Sequence, residues 1–229
     1  MSRIAGIDPD APDPVVIRRA VDILQHGGMV IVPTRHLYGV GVDALDPRAV
    51  ERVFKAKQRP YHQPLLIMLP SLGDVPRYAR DIDERAAALM NAFWPGKLTI
   101  VLAARSILPP LLTGGTGRIG IRVPGHAVCR SIVRAMASPM TATSANLSGQ
   151  SGCHRIDDLH PDIVAAADLV LDAGPLKPGV GSTVVDVTSG GVCILREGAV
   201  AAEAIKAANG IRTPQTSAGT PEGANWKRG

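Results

Sequence analysis

The sequence predicts an α/β domain built on a mixed sheet, and three observations carry that prediction. Short, almost wholly apolar runs alternate with longer stretches whose apolar positions recur at helical spacing. Hydrophobic residues make up 45% of the chain but aromatic ones only 3%, so the interior is assembled from Val, Ile, Leu and Ala, which suits helices layered on a sheet. Ser189, Gly190 and Gly191 join two late apolar runs as a tight turn, which makes that pair antiparallel and the sheet mixed.

Residues 15–26 place Ile17, Ala20, Val21 and Leu24 on one helical face, and Gly27-Gly28 supplies the left-handed stop. A strand over 29–33 is apolar on both faces, as in a sheet covered on both sides, and a second extended run spans 37–42, with Thr34, Arg35 and His36 between. Asp46-Pro47 starts a helix, a capping carboxylate followed by proline in the first turn. It buries Val50, Val53 and Phe54, runs to Lys57 and ends before Pro60. A strand over 64–69, a helix over 82–93 stopped by Trp94-Pro95-Gly96 and a strand over 98–103 follow. The second half repeats the style, with strands at 118–123, 139–143, 169–172, 183–187 and 192–196 and helices at 127–137, 156–166 and 201–208. One core of this size fits residues 15–208 as a single domain. Residues 1–14, rich in Asp and Pro, read as an N-terminal extension, and 209–229 as a flexible tail with too little apolar content to offset its ordering entropy.

Several function classes drop out. The first 14 residues lack the apolar run of a signal peptide, and nothing approaches the ~20 apolar residues of a membrane span, so no membrane partner is expected. Cys129, Cys153 and Cys193 are odd in number and too widely spaced for a Cys-x-x-Cys pair, which points to a reducing, cytoplasmic setting. There is no His-x-x-x-His, no Gly-x-Ser-x-Gly elbow and no lysine in Walker position after Gly179-Val180-Gly181. A net charge of +5 suits polyanionic partners without identifying one.

Four places carry candidate chemistry. Lys55, Lys57 and Arg59 crowd a helix end that Pro60 and Pro64 stiffen; the cluster fits either a phosphate clamp or a complement to the helix dipole. Ser144, Asn146 and Ser148 leave an apolar strand in a loop, where they serve either a ligand or a turn. Gly179 to Thr183 offers backbone amides and the Ser182 hydroxyl to an anion. Arg122 and Arg196 each end an apolar strand, where α/β ligand sites gather, or else sit solvated, with Glu197 as a partner for Arg196.

Taken in order, Pro33-Thr34 with Tyr38-Gly39, Lys57-x-Arg59-Pro60, Ser144-Ala145-Asn146, Ser182-Thr183-Val184-Val185-Asp186 and Leu195-Arg196-Glu197-Gly198 resemble the threonylcarbamoyl-adenylate synthase, or YrdC-like, family over roughly 15–208, in its short single-domain form. The resemblance implies a three-layer α/β sandwich with a twisted mixed sheet around a basic concave cavity. It also implies nucleotidyl transfer that joins L-threonine, bicarbonate and ATP, with Mg2+, into threonylcarbamoyl-AMP for tRNA modification. On that basis Lys57 and Arg59 are the catalytic cations, Thr34, Arg122, Ser144 and Ser182 hold the threonine side, and Lys57, Asn146 and Arg196 the nucleotide. The implied partners are tRNA or double-stranded RNA and a threonylcarbamoyl-transferase machinery. Arg35, His36 and Gln63 depart from residues common in the family beside the threonine pocket.

Overall fold

The computed structural model describes residues 3–210. In chain order it contains β1 (Ile4–Gly6), α1 (Pro14–Gln25), β2 (Val30–Pro33), β3 (Tyr38–Gly41), α2 (Pro47–Ala56), β4 (Leu66–Met68), α3 (Val75–Tyr78), β5 (Ala79–Arg80), α4 (Glu84–Phe93), β6 (Leu98–Ala104), β7 (Arg118–Arg122), α5 (Ala127–Met136), β8 (Met140–Ser144), α6 (Pro161–Ala166), β9 (Leu169–Asp172), β10 (Thr183–Asp186), β11 (Cys193–Arg196) and α7 (Ala202–Ala208). These strands form one sheet in the order β1-β9-β2-β3-β8-β4-β7-β6-β10-β11, with β5 added on β6. Parallel pairs (β2 with β9, β4 with β7, β6 with β10) mix with antiparallel ones such as β2 with β3 and β10 with β11.

Strand alternation separates two cores. Along β2, Val30 and Val32 join Ile17, Ala20 and Leu24 of α1 and Val128, Ile132 and Val133 of α5. Met29 and Ile31 instead join Val50, Val53 and Phe54 of α2, Leu89 of α4, Ile163 of α6 and Ile205 of α7. The sheet is thus the middle of three layers, and the apolar strands anticipate this because both faces need covering. At the β6–β10 end the α1/α5 face carries only a small cluster of strand residues, Val101 and Val184 with Leu66 and Leu195. Among the described residues no helix residue joins it, which leaves the concave region open.

Asp46 caps α2 as its sequence signal indicates, and Asp13 and Asp83, not read as caps from sequence, do the same for α1 and α4, the bonds coming from the amides of Arg48, Val15 and Ala86, each such cap being worth about 1 kcal/mol. Gly27, at φ 76°, turns the chain after α1 as expected. Two expectations change. The helix expected over 156–166 is split into a 3-10 turn, Ile156–Asp158, and α6, because Pro161 disfavours helical backbone at His160, whose ring instead accepts from the Asp162 amide at 3.2 Å. The stretch 1–14, expected as an extension, supplies β1, parallel to β9 with Ile4 opposite Val170; three residues with Ile4 48% exposed give no apolar signal to read. The expected tail lies, from residue 211, outside the described residues.

Candidate active site

The open region of the sheet is the floor of a cavity with Leu66, Met68, Ala142 and Val184 on it and Thr34, Arg59, Arg122, Ser144, Ser182 and Arg196 around it. Period-two geometry explains most of this convergence. Thr34 continues the parity of Val30 and Val32, Ser144 that of Met140 and Ala142, and Ser182 leads into β10 on the parity of Val184, all toward the α1/α5 face. In β7, Ile119 and Ile121 face the opposite core, so Arg122 faces the cavity.

Arg196 reaches the cavity by a different device. Ile194 packs into the α2/α4 core, and strict alternation would send Arg196 there too. The β10–β11 register shifts between Val184 and Val185, pairing Val185 with Ile194 but Val184 with Arg196, so the extra residue of a bulge turns Arg196 onto the cavity face. There its Nη2 donates to the Ser182 carbonyl at 2.9 Å and to Ser182 Oγ at 3.3 Å, and Glu197 is not its partner. Ser182 Oγ also meets Thr99 Oγ1 at 3.0 Å.

Three guanidiniums therefore share one concavity. Arg59, 8% exposed, donates from Nε to the Gln63 carbonyl at 3.2 Å and from Nη2 to the Pro64 carbonyl at 2.9 Å, stapling its own loop. Burial, then the charge of Arg196, lowers its pKa to about 10. Arg122, half-buried, places Nη2 3.6 Å from Met68 Sδ and leaves a buried Nε without a hydrogen-bond partner. Its pKa is lowered by burial first, with Arg196 adding to the shift, and that of Arg196 is lowered by burial. Cations massed without a carboxylate are costly on their own and favourable to an anion.

Lys57 and Asn146 lie under this lining instead of on it. Lys57 is wholly buried, and Nζ donates to the carbonyls of Ser144 at 2.5 Å and Asn146 at 2.6 Å. Burial, then Arg59, lowers its pKa to about 7, with Cys153 opposing. Asn146, 2% exposed, turns Nδ2 to the carbonyls of Leu147 at 2.7 Å and Gln150 at 2.8 Å. Sequence reading did not anticipate the apolar floor or Thr99; floor residues announce themselves only through strand parity, once the uncovered face is known. A second depression adjoins the first, sharing Thr34, Leu37, Arg122, Gly181 and Ser182 and adding Arg35, Lys97, His126 and Lys177.

The Sua5/YciO/YrdC family model, described as telomere recombination, matches residues 22–198. The chain belongs to this family. It is 35% identical over 190 residues to the threonylcarbamoyl-AMP synthase of Pyrococcus abyssi, covering 83% of this chain and 56% of that one. It is 32% identical over 195 residues to that of Bacillus subtilis, covering 85% and 56%; the chain spans little more than half the length of these two relatives. Against the enzyme of the same name from Serratia proteamaculans the figures are 33% over 174 residues, 74% of this chain and 90% of that one. Among Sua5/YciO/YrdC structures, P. abyssi Sua5 complexed with L-threonine superposes with a TM-score of 0.86 at 33% identity, over 91% of this chain and 61% of that one. E. coli YciO superposes with a TM-score of 0.81 at 28% identity, over 90% and 100%. The family and fold class expected from the motifs both stand.

Proposed function

We propose that this family member is a nucleotidyltransferase that converts L-threonine, bicarbonate or carbon dioxide, and ATP into L-threonylcarbamoyl-AMP and pyrophosphate. The observation that carries the reading is the convergence of Arg59, Arg122 and Arg196 with the hydroxyls of Thr34, Ser144 and Ser182 on one cavity. Relatives named threonylcarbamoyl-AMP synthase, and a solved relative complexed with L-threonine, support it.

The chemistry asks for such a site. The threonine amine attacks the carbon of carbon dioxide and loses a proton, giving a carbamate. A carbamate oxygen then attacks the α-phosphorus of ATP, the bond from that phosphorus to the bridging oxygen breaks, and pyrophosphate leaves with the electron pair. Charge builds on phosphoryl oxygens throughout, so prearranged cations supply the stabilisation and no protein nucleophile is needed. The thiol of Cys129, pushed up to about 11 by burial, is unsuited to act as one. Thr34, Arg122, Ser144 and Ser182 take the amino acid and its carboxylates, Arg59 and Arg196 the phosphates, while Lys57 and Asn146 support from beneath. Magnesium enters with ATP as part of the substrate, and the protein addresses the phosphates with the cations of Arg59 and Arg196. The mixed anhydride then passes to the tRNA adenosine through a threonylcarbamoyl transferase, and a net charge of +5 favours the approach of RNA.

Incubation with MgATP, bicarbonate and L-threonine is expected to release pyrophosphate, with the rate falling to background when threonine or bicarbonate is left out. Pyrophosphate release indifferent to both would refute the reaction.

A further inference from the structure

The geometry points to Lys57 as a positioning residue, one that touches no substrate and instead aims the Ser144 hydroxyl by clamping the loop behind it. This rests on Ser144 as a substrate contact in the reaction above. Residue 57 grips the loop at three successive places: Nζ holds the carbonyls of Ser144 and Asn146 at 2.5 and 2.6 Å, and its own carbonyl accepts from the Ser148 amide at 2.8 Å. The Asn146 amide also donates to the Ser144 carbonyl at 3.0 Å, so that one oxygen is held from two directions. Ser144 ends β8 and lines the cavity, and its Oγ is buried with no hydrogen-bond partner in the protein.

The clamp is anchored at its other end too. Lys57 closes α2, with its amide bonded to the Val53 carbonyl at 3.0 Å, and α2 is fixed in the core by Val50, Val53 and Phe54. The ammonium is spent on carbonyls and lies off the cavity lining, which the arginines occupy instead. Two short N–H···O=C bonds from one buried nitrogen are directional, so they fix the loop where a side chain without donors would leave it to sample other turns.

The test is a double-mutant cycle with Lys57→Met and Ser144→Ala, read by threonine-dependent pyrophosphate release together with ATP affinity. If Lys57 works through Ser144, the double variant is as slow as the slower single one to within about threefold, and Lys57→Met binds ATP to within about threefold of the parent. Losses that multiply, or an ATP affinity reduced by about tenfold or more, would place the ammonium on the phosphates and overturn the proposal. Hydrogen exchange of the 144–150 amides provides a readout free of catalysis: about tenfold or greater acceleration in Lys57→Met is expected, and unchanged exchange overturns the clamp. Should Lys57→Met not fold, Lys57→Gln, which keeps donors without charge, enters both arms with the same criteria. A parent protein without threonine-dependent release would defeat the reaction itself, while the exchange arm would still decide the clamp.

Discussion

Arg122 combines half-burial, a location between the two depressions and a guanidinium whose Nε lacks a partner. Removing one partner of a buried charge pair costs about 2–5 kcal/mol, so Arg122→Ala, which loses the cation for the amino acid's carboxylates, is expected to lower kcat/KM for pyrophosphate release by about 10²–10³, mainly through KM. Its melting temperature should hold or rise, because the substitution removes a poorly compensated cation and relieves repulsion with Arg196; a large loss of stability would assign Arg122 to the fold instead. At this scale much of the site was legible. Strand-end position and motif order pick out Thr34, Arg122, Ser144, Ser182 and Arg196 before any coordinates. Neither shows that Lys57 is captured by two carbonyls and Asn146 by its own loop, because such bonds depend on how closely α2 approaches the end of β8.

Elements were readable wherever a side chain dictates the backbone and opaque where pairing does. The cap at Asp46 and the turn at Gly190 follow from local chemistry. The bulge that turns Arg196 has no such signature: from sequence, Cys193–Arg196 is an ordinary strand, and only the register against β10 shows the inserted residue. The end of α5 offers a test of local strain. Ala137 terminates the helix in the left-handed region at φ 51°, exposed to solvent. Glycine adopts that conformation without the penalty carried by a Cβ, so Ala137→Gly should raise unfolding stability by about 0.5–1 kcal/mol, measured by urea denaturation. A decrease would mean that the methyl packs favourably enough to outweigh its strain.

For the molecule as a whole, the layered architecture was legible from apolar periodicity and composition, whereas the short strands β1 and β5 were not, since two or three residues carry no period. Burying Lys57 ties global stability to pH. Burial, then the charge of Arg59, holds its folded pKa at about 7, below the ordinary lysine value of 10.5, so between these values the unfolded chain holds a proton that the folded chain lacks. Stability therefore rises with pH in that window, by up to about 1.4 kcal/mol per pH unit, and has no slope from this group below it. Urea midpoints at pH 7 and 8.5 should increase more for the parent than for Lys57→Met, and equal slopes would rule out the depressed pKa.

The helix-free stretch of the sheet has a further consequence. The cavity floor consists of strand residues that the opposite core already secures, while Arg35, His36 and Gln63 belong to loops outside the regular elements. The strand floor and the loop lining beside it are thereby written in different parts of the chain. Such a scaffold lets loop positions 35 and 36, on the second depression, vary at small thermodynamic risk, without first having to survive a folding defect.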